Sequence, residues 1–226
     1  MTTPEQNPAV PAATAVLLRE GEHGIETLML RRNSKLAFAG GMWVWPGGRV
    51  DPGDYVASGA DEDTAARRAA VRETREEAGL ELDEDDLVWF AHWTPPSISP
   101  KRFATWFFVA PAPEGDVHID GGEIHDHRWI RPRDALRLRN ELAIDLSPPT
   151  WITLEQLKDF TSVPAAMQVL SERPAEYFAT RLASVEGGAV ALYHGDAGYE
   201  AADPDQPGGR HRLWMMTAGW RYERDC

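Results

Sequence analysis

Apolar and polar positions follow different periods in different stretches of the chain, and the changes of period mark its elements. AATAVLLRE and ETLMLRR are runs of apolar and β-capable residues split by Gly21 and Gly24, which predicts two strands with a turn between them. MWVWPGG reads as a third strand stopped by Pro46 and a tight Gly-Gly turn. From Ala60 to Glu77 the pattern changes to alanine, arginine and glutamate, all good helix formers; Asp61 and Asp63 are placed to cap the start and Gly79 to end it. LVWFAHW and RFATWFFVAP follow as strands, joined by the Pro- and Ser-rich loop TPPSISPK. HRWI is a short strand before a helix at RPRDALRLRNE, and a further helix spans TWITLEQLKDF, where Leu154, Leu157 and Phe160 recur at helical spacing. Late in the chain, GAVALYHGD and HRLWMMTAGWRYE read as two strands flanking the polar loop EAADPDQPGGR.

Strands and helices are thus mixed without strict βαβ alternation, which predicts an α+β fold of α/β/α layers. Residues 1–11 are Pro-rich and polar, an expected disordered lead-in; 12–163 form the main domain, and 164–226 a C-terminal extension packed on it or closing it.

Composition narrows the function. With 226 residues and 42% hydrophobic residues the chain can bury a sizeable core. Its net charge of −13, from 23 basic and 36 acidic residues, sets it against nucleic-acid polymers and anionic membranes as partners. The one cysteine, Cys226, excludes an intramolecular disulfide and fits a reducing compartment. The opening MTTPEQNPAVPAA has neither a basic start nor an apolar stretch of a secretory signal, so a soluble cytoplasmic protein is expected.

The stretch VRETREEAGL then demands a chemical explanation. Glu73, Glu76 and Glu77 are three and four residues apart, on one helix face, where like charges cost about 0.2–0.5 kcal/mol per pair. Arg72 and Arg75 offset that cost on a solvated face; divalent cations offset it in a metal site. Oxygen-only ligands suit Mg²⁺ or Mn²⁺, which bridge to substrate phosphates.

With its surroundings the stretch resembles the Nudix hydrolases, whose box is written G-x5-E-x7-R-E-U-x-E-E-x-G-U with U a bulky apolar residue. Here Gly48 and Asp54 are followed by Arg72, Glu73, Glu76, Glu77, Gly79 and Leu80 in the box's order. Asp54 stands where the box has glutamate, and Thr74 where it has an apolar residue. The gap from Asp54 to Arg72 is seventeen residues in place of seven, the surplus lying in the loop YVASGADEDT. Asp61, Glu62 and Asp63 are therefore alternatives to Asp54 for the first acid.

The resemblance covers about residues 12–145, and the loop insertion, the TP…PKRFATWFFVA pattern and PPTWITLEQL look like the branch that includes peroxisomal coenzyme A diphosphatases. A motif of coenzyme A-cleaving members, LLTxRS-x3-R-x3-G-x3-FPGG, is half present: Asn33 replaces Ser, Trp45 replaces Phe, and Ala37 falls on the second Arg.

The resemblance implies metal-assisted attack of water on the diphosphate of a nucleoside diphosphate linked to another moiety. Glu73, Glu76 and Glu77 would hold Mg²⁺ or Mn²⁺, and Arg72 would orient the box glutamates. Glu73 or Glu123, with Asp126 behind, would take the proton. Gly47 and Gly48 would bring backbone to the site, and Arg32 and Arg102 would meet phosphate. Trp43, Trp45 and Trp106 read as core aromatics, and His92, His125 and His127 as ordinary polar residues. The competing substrates are ADP-ribose and dinucleotides such as NADH or diadenosine polyphosphates. A non-catalytic ligand-binding regulator on the same fold is the rival class, against which the complete glutamate trio argues. The role of 164–226 is open between covering the site and forming a homodimer contact.

Overall fold

A computed structural model describes residues 8–35, 39–55 and 61–225. Ala37, Ala60, Cys226 and most of the N-terminal lead-in lie outside the described residues, as do positions 56–60 of the inserted loop. The chain forms two compact units. The larger comprises Pro11–Ala91 and Thr105–Glu176; the smaller takes the chain up to Val10, His92–Ala104 and the segment from Tyr177. The division thus falls after Glu176, later than residue 163, and the smaller unit also takes in the loop between the two middle strands.

In the larger unit, strand β1 (Val10–Gly21) pairs antiparallel with β2 (Gly24–Arg32), as the two apolar runs require. Strand β3 (Trp43–Val44) extends the sheet beyond β2. The expected Gly-Gly turn is absent: Gly47 and Gly48 lie in a strand, β4 (Gly47–Arg49), that pairs with β1 through Thr14↔Gly47 and Ala13↔Gly48. The glycines are there for closeness and not for a turn, since neither has positive φ and a Cβ on Gly47 would lie 2.5 Å from the Ala13 carbonyl oxygen.

After α1 (Glu62–Ala78) come β5 (Val88–Thr94), β6 (Phe103–Pro111) and β7 (Ile124–Ile130), the last pairing with β2. The strand order is β3-β2-β1-β6-β5, with β4 on β1 and β7 on β2. Helices α2 (Pro132–Asn140), α3 (Pro148–Leu157) and α4 (Val163–Ser171) complete the unit.

The core explains the layering. Ala13, Ala15 and Leu17 of β1, Leu28 and Leu30 of β2, and Trp106, Phe108 and Ala110 of β6 pack with Ala65, Ala66, Ala69 and Ala70 of α1. Their neighbours Val16, Leu18, Met29 and Val109 face the other way by strand alternation and are equally buried. Both faces are therefore covered, α1 on one side and the mutually packed α2 and α3 on the other, which is the expected α/β/α sandwich. The small alanine side chains bring α1 close to the sheet, so its last two turns lie against β4. Trp43, Trp45 and Trp106 are buried, as their apolar surroundings predict.

In the smaller unit the end of β5 pairs with β8 (Glu176–Ala179), and a second sheet runs in the order β12-β11-β10-β9. Its strands are β9 (Arg181–Val185), β10 (Gly188–Leu192), β11 (His211–Met216) and β12 (Gly219–Arg224). HRLWMMTAGWRYE is thus a hairpin and not one strand, because Gly219, at φ 141, takes up the turn. A buried ion pair, Arg212 Nη2 to Asp196 Oδ1 at 2.6 Å, holds the loop before β11 to that sheet.

Candidate active site

Helix α1 starts where its cap lies, with the Asp61 side chain accepting from the Thr64 amide at 2.8 Å, and ends at Gly79 in the left-handed conformation at φ 68. Asp63 is engaged with Arg67, 2.8 Å from its Nε. Asp61 and Asp63 are thus both engaged within the first turns of α1. The upstream acid that meets the box arginine is Asp54, which is 6% exposed and accepts from Arg72 Nε at 3.2 Å and from Arg72 Nη2 at 3.1 Å. The same guanidinium donates to Glu73 Oε1 at 2.7 Å, Glu76 Oε2 at 3.3 Å and the Arg49 carbonyl at 2.9 Å. Its pKa is raised, foremost by the Asp54 hydrogen bonds, so Arg72 is a permanent cation clasping three acids and a backbone oxygen. Thr74, the departure from an apolar box position, is fully buried with its hydroxyl returned to the Ala70 carbonyl at 2.7 Å, so it packs at no cost in unmet hydrogen bonding.

The three glutamates differ in depth. Glu77 is 5% exposed and its Oε2 accepts from the Gly47 amide at 2.9 Å. Burial pushes its pKa up to about 8; the Gly47 amide and Arg32 pull it down, and the charges of Glu73 and Glu123 push it up. Glu73 is likewise raised, by burial first, against the pull of Arg72 and with Glu76 and Glu123 adding repulsion. Glu76 is the outermost, its side chain 53% exposed. A Cβ on Gly48 would sit 2.2 Å from Glu73 Oε1, so the bare backbone of β4 is what lets Glu73 lie where it does.

From the sheet side come Arg32 and Glu123. A register shift between β2 and β7 falls at Arg31 and Arg32. Arg32 Nη1 lies 3.8 Å from Glu77 Oε1, while its Nη2 is bonded to Glu123. The Glu123 loop is itself anchored: Asp120 accepts from the amides of Gly122, Glu123 and Ile124 at 3.2, 2.8 and 2.8 Å. The Asn33 amide donates to the Glu123 carbonyl at 2.8 Å.

The structure therefore brings Arg72, Glu73, Glu76, Glu77, Gly47, Gly48, Arg32 and Glu123 together. Arg102 belongs to the smaller unit, where its Nη2 donates to the Pro95 carbonyl at 3.2 Å. Asp126 and His127 are exposed on β7, and the Asp126 carboxylate accepts from the His127 amide at 2.9 Å. The anchoring roles of Asp120 and Asn33 go beyond the sequence reading, although an Asp followed by Gly-Gly is a legible backbone-binding turn.

Among the described residues, no three His, Cys, Asp or Glu side chains already form a closed cage for a metal ion. The donor chemistry nonetheless fits a hard cation. The acids are oxygen-only, Glu73, Glu77 and Glu123 repel one another, and each has only one oxygen committed to a close hydrogen bond. Such a cluster gains from any positive charge placed among it.

A family model described as the NUDIX domain matches residues 8–150, and the chain belongs to that family. It is 30% identical over 144 residues to a Bos taurus protein named m7GpppN-mRNA hydrolase NUDT17, a match covering 57% of this chain and 44% of that one; the chain thus spans less than half the length of this curated relative. A NUDIX hydrolase of Alicyclobacillus acidocaldarius has a similar structure, with a TM-score of 0.66 at 25% identity over 74% of this chain and 99% of that one. The NUDIX domain of Shewanella oneidensis NrtR, solved with ADP-ribose, shares the fold alone, with a TM-score of 0.50 at 16% identity over 69% and 90%. None of these likenesses singles out the coenzyme A branch.

Proposed function

We propose that the protein is a Mg²⁺- or Mn²⁺-dependent hydrolase that cleaves the diphosphate of a nucleoside diphosphate linked to another moiety. The observation that carries the proposal is the packing of Glu73 and Glu77 against the bare backbone of Gly47 and Gly48, with Glu76 beside them and Glu123 opposite. Repelling, partly buried carboxylates are costly unless a cation is bound. Glu73, Glu76 and Glu77 would hold the metal, which when bound neutralises phosphate oxygens and makes an attacking water more acidic.

The chain's own groups do the rest. Arg72 orients Glu73 and Glu76 by donating to both. Glu123, on its anchored loop, accepts the proton from water, with Glu73 the alternative base. Arg32, a cation between Glu77 and Glu123, is placed to meet a substrate phosphate oxygen.

Coenzyme A and its acyl derivatives are supported as substrates by the outline of LMLRRN, Gly41 and WPGG; similarity to a protein named a cap hydrolase favours a capped dinucleotide instead. The test is a panel of coenzyme A, acyl-coenzyme A, ADP-ribose, NADH, diadenosine polyphosphates and a methylated cap dinucleotide, with products identified by mass. Turnover of at least one that stops with chelator, and its loss in Glu76→Gln, is expected. No turnover across the panel, or full turnover in the variant, would refute the proposal.

A further inference from the structure

The smaller unit carries a groove of about 770 Å³ that the proposed hydrolysis does not use. Its lining includes Trp214 and three acids, Glu186, Asp203 and Asp205, and not one basic residue. Along one side runs the whole length of β9 from Leu182, and β9 is the last strand of its sheet. Across the sheet, Ala183, Val190 and Trp214 are direct neighbours in register; Val190 is fully buried, and Ala183, Val185 and Trp214 supply apolar surface to the groove's lining.

The register decides what the edge offers. β9 and β10 are joined by the two-residue turn Glu186–Gly187, so Val185 and Gly188 close the hairpin. In such a hairpin the pairs Val185–Gly188 and Ala183–Val190 exchange hydrogen bonds, and the backbone groups of the residues between them point away from β10. Leu182 and Ser184 therefore present N–H and C=O outward along the groove, and Leu182 also presents 38% of its surface. An edge of this kind, whose one charged residue, Arg181, is bonded to Glu200 and which carries no proline, is a template for another strand.

We propose that this groove binds an extended, basic segment of a partner protein as a fifth strand alongside β9. Main-chain bonds to Leu182 and Ser184 supply the affinity, and alternate side chains supply the choice. Apolar residues rest against Val185 and Trp214, and lysines or arginines reach Asp203, Asp205 and Glu186. The sign of the rim selects the occupant, because a second copy of this chain would bring the same three acids against themselves.

The test uses the full-length protein and a labelled seven-residue peptide of alternating lysine and valine, followed by fluorescence anisotropy. Saturable binding is expected, with little or none for the glutamate–valine peptide or for a lysine–valine peptide N-methylated on alternate residues. Glu186→Gln with Asp205→Asn, both at exposed positions, should weaken binding by about tenfold. Glu84→Gln with Asp85→Asn, on the larger unit, should leave it unchanged. Ser184→Pro removes one outward N–H at an edge position where proline is tolerated, and should abolish binding while the circular dichroism is kept. Equal weakening by the two charge pairs, or full binding of the N-methylated peptide, would reduce the effect to general attraction to an acidic protein and overturn the proposal. So would absence of binding, or self-association through β9 seen by light scattering.

Discussion

Replacing Gly48 with alanine isolates the geometry on which the proposed chemistry rests. The new Cβ would fall 2.2 Å from Glu73 Oε1 and 2.4 Å from its Cδ, well inside contact distance. The obstructing atoms are the far end of a flexible side chain, so the fold can respond by swinging Glu73 away. To regain ordinary contact the carboxylate must retreat by about 1 Å, a displacement of a catalytic group that costs on the order of 10²-fold in rate. It would also loosen the 2.7 Å bond from Arg72. The neighbouring substitution Gly47→Ala is the control, because its Cβ meets backbone: 2.5 Å to the Ala13 carbonyl oxygen and 2.6 Å to Thr14 Oγ1. Strand β4 would have to part from β1, at a cost of about 1–3 kcal/mol. In a domain of this size that lowers Tm by roughly 2–4 °C per kcal/mol. The adjacent glycines should therefore separate two readouts, with Gly48→Ala losing kcat at an unchanged Tm and Gly47→Ala losing Tm. Steady-state kinetics on the substrate found in the panel, with calorimetry on both variants, measures this. A Gly48→Ala protein with wild-type kcat, or one that melts as early as Gly47→Ala, would show that β4 does not set the position of Glu73.

Two further expectations concern charged groups held out of water. Arg72→Lys keeps the charge but loses the paired bonds to buried Asp54, and should destabilise the protein by about 1–3 kcal/mol in a denaturant titration; unchanged stability would show that the clasp is not structural. In the smaller unit, the Asp196 carboxyl is held below its ordinary value: burial alone would raise it, but the Arg212 guanidinium and the amides of His211 and Gly198 outweigh burial. A depressed folded-state pKa gives stability that is complete above the ordinary aspartate value of 3.8 and is lost as pH falls through the folded one. Hydrogen exchange of the β10 and β11 amides should accordingly accelerate only below that value. Protection that fails already at pH 5 would refute the assignment.

The parts of the fold legible in the sequence are those whose pattern is set by burial. β1 and β2 read as strands because both of their faces are covered, and α1 reads as a helix because its alanine face and both caps are local signals. The strands missed or shortened are the ones burial does not shape. Only HRWI of β7 is legible, because four of its residues in a row, His125 to Arg128, are exposed at the sheet's edge. β9 has a single buried residue, Ala183, between exposed Leu182 and Ser184. Helix α4 escapes the apolar periodicity yet carries a local start signal: Ser162 caps it, with Pro164 in its first turn. WPGG misleads for a different reason. Two glycines suggest a turn, and only the three-dimensional packing of Glu73 and Thr14 shows that they are needed for the absence of side chains.

For the site, the spacing of Glu73, Glu76 and Glu77 is enough to place them on one face, but not to rank their depth, since depth depends on which way α1 lies on the sheet. The upstream acid is undecidable by spacing, and its resolution says what the box constrains. Asp54 is followed by seventeen residues before Arg72, yet the contact is made. A gap ten residues longer than the box's thus still lets carboxylate and guanidinium meet in this chain. Aspartate is one methylene shorter than the glutamate usual at this position, so its backbone has to stand nearer to Arg72. The structure meets that requirement locally. Residues Pro52–Asp54 form a 3-10 turn in which the Asp51 amide donates to Asp54 Oδ2 at 2.8 Å, and Arg68, one turn before Arg72 on α1, donates to the Asp54 carbonyl at 3.2 Å. Two arginines of the helix thus grip one residue by its backbone and its side chain. That fixes the start of the inserted loop to the helix one turn ahead of Glu73, Glu76 and Glu77, so the loop's added residues need not disturb the turn that carries them.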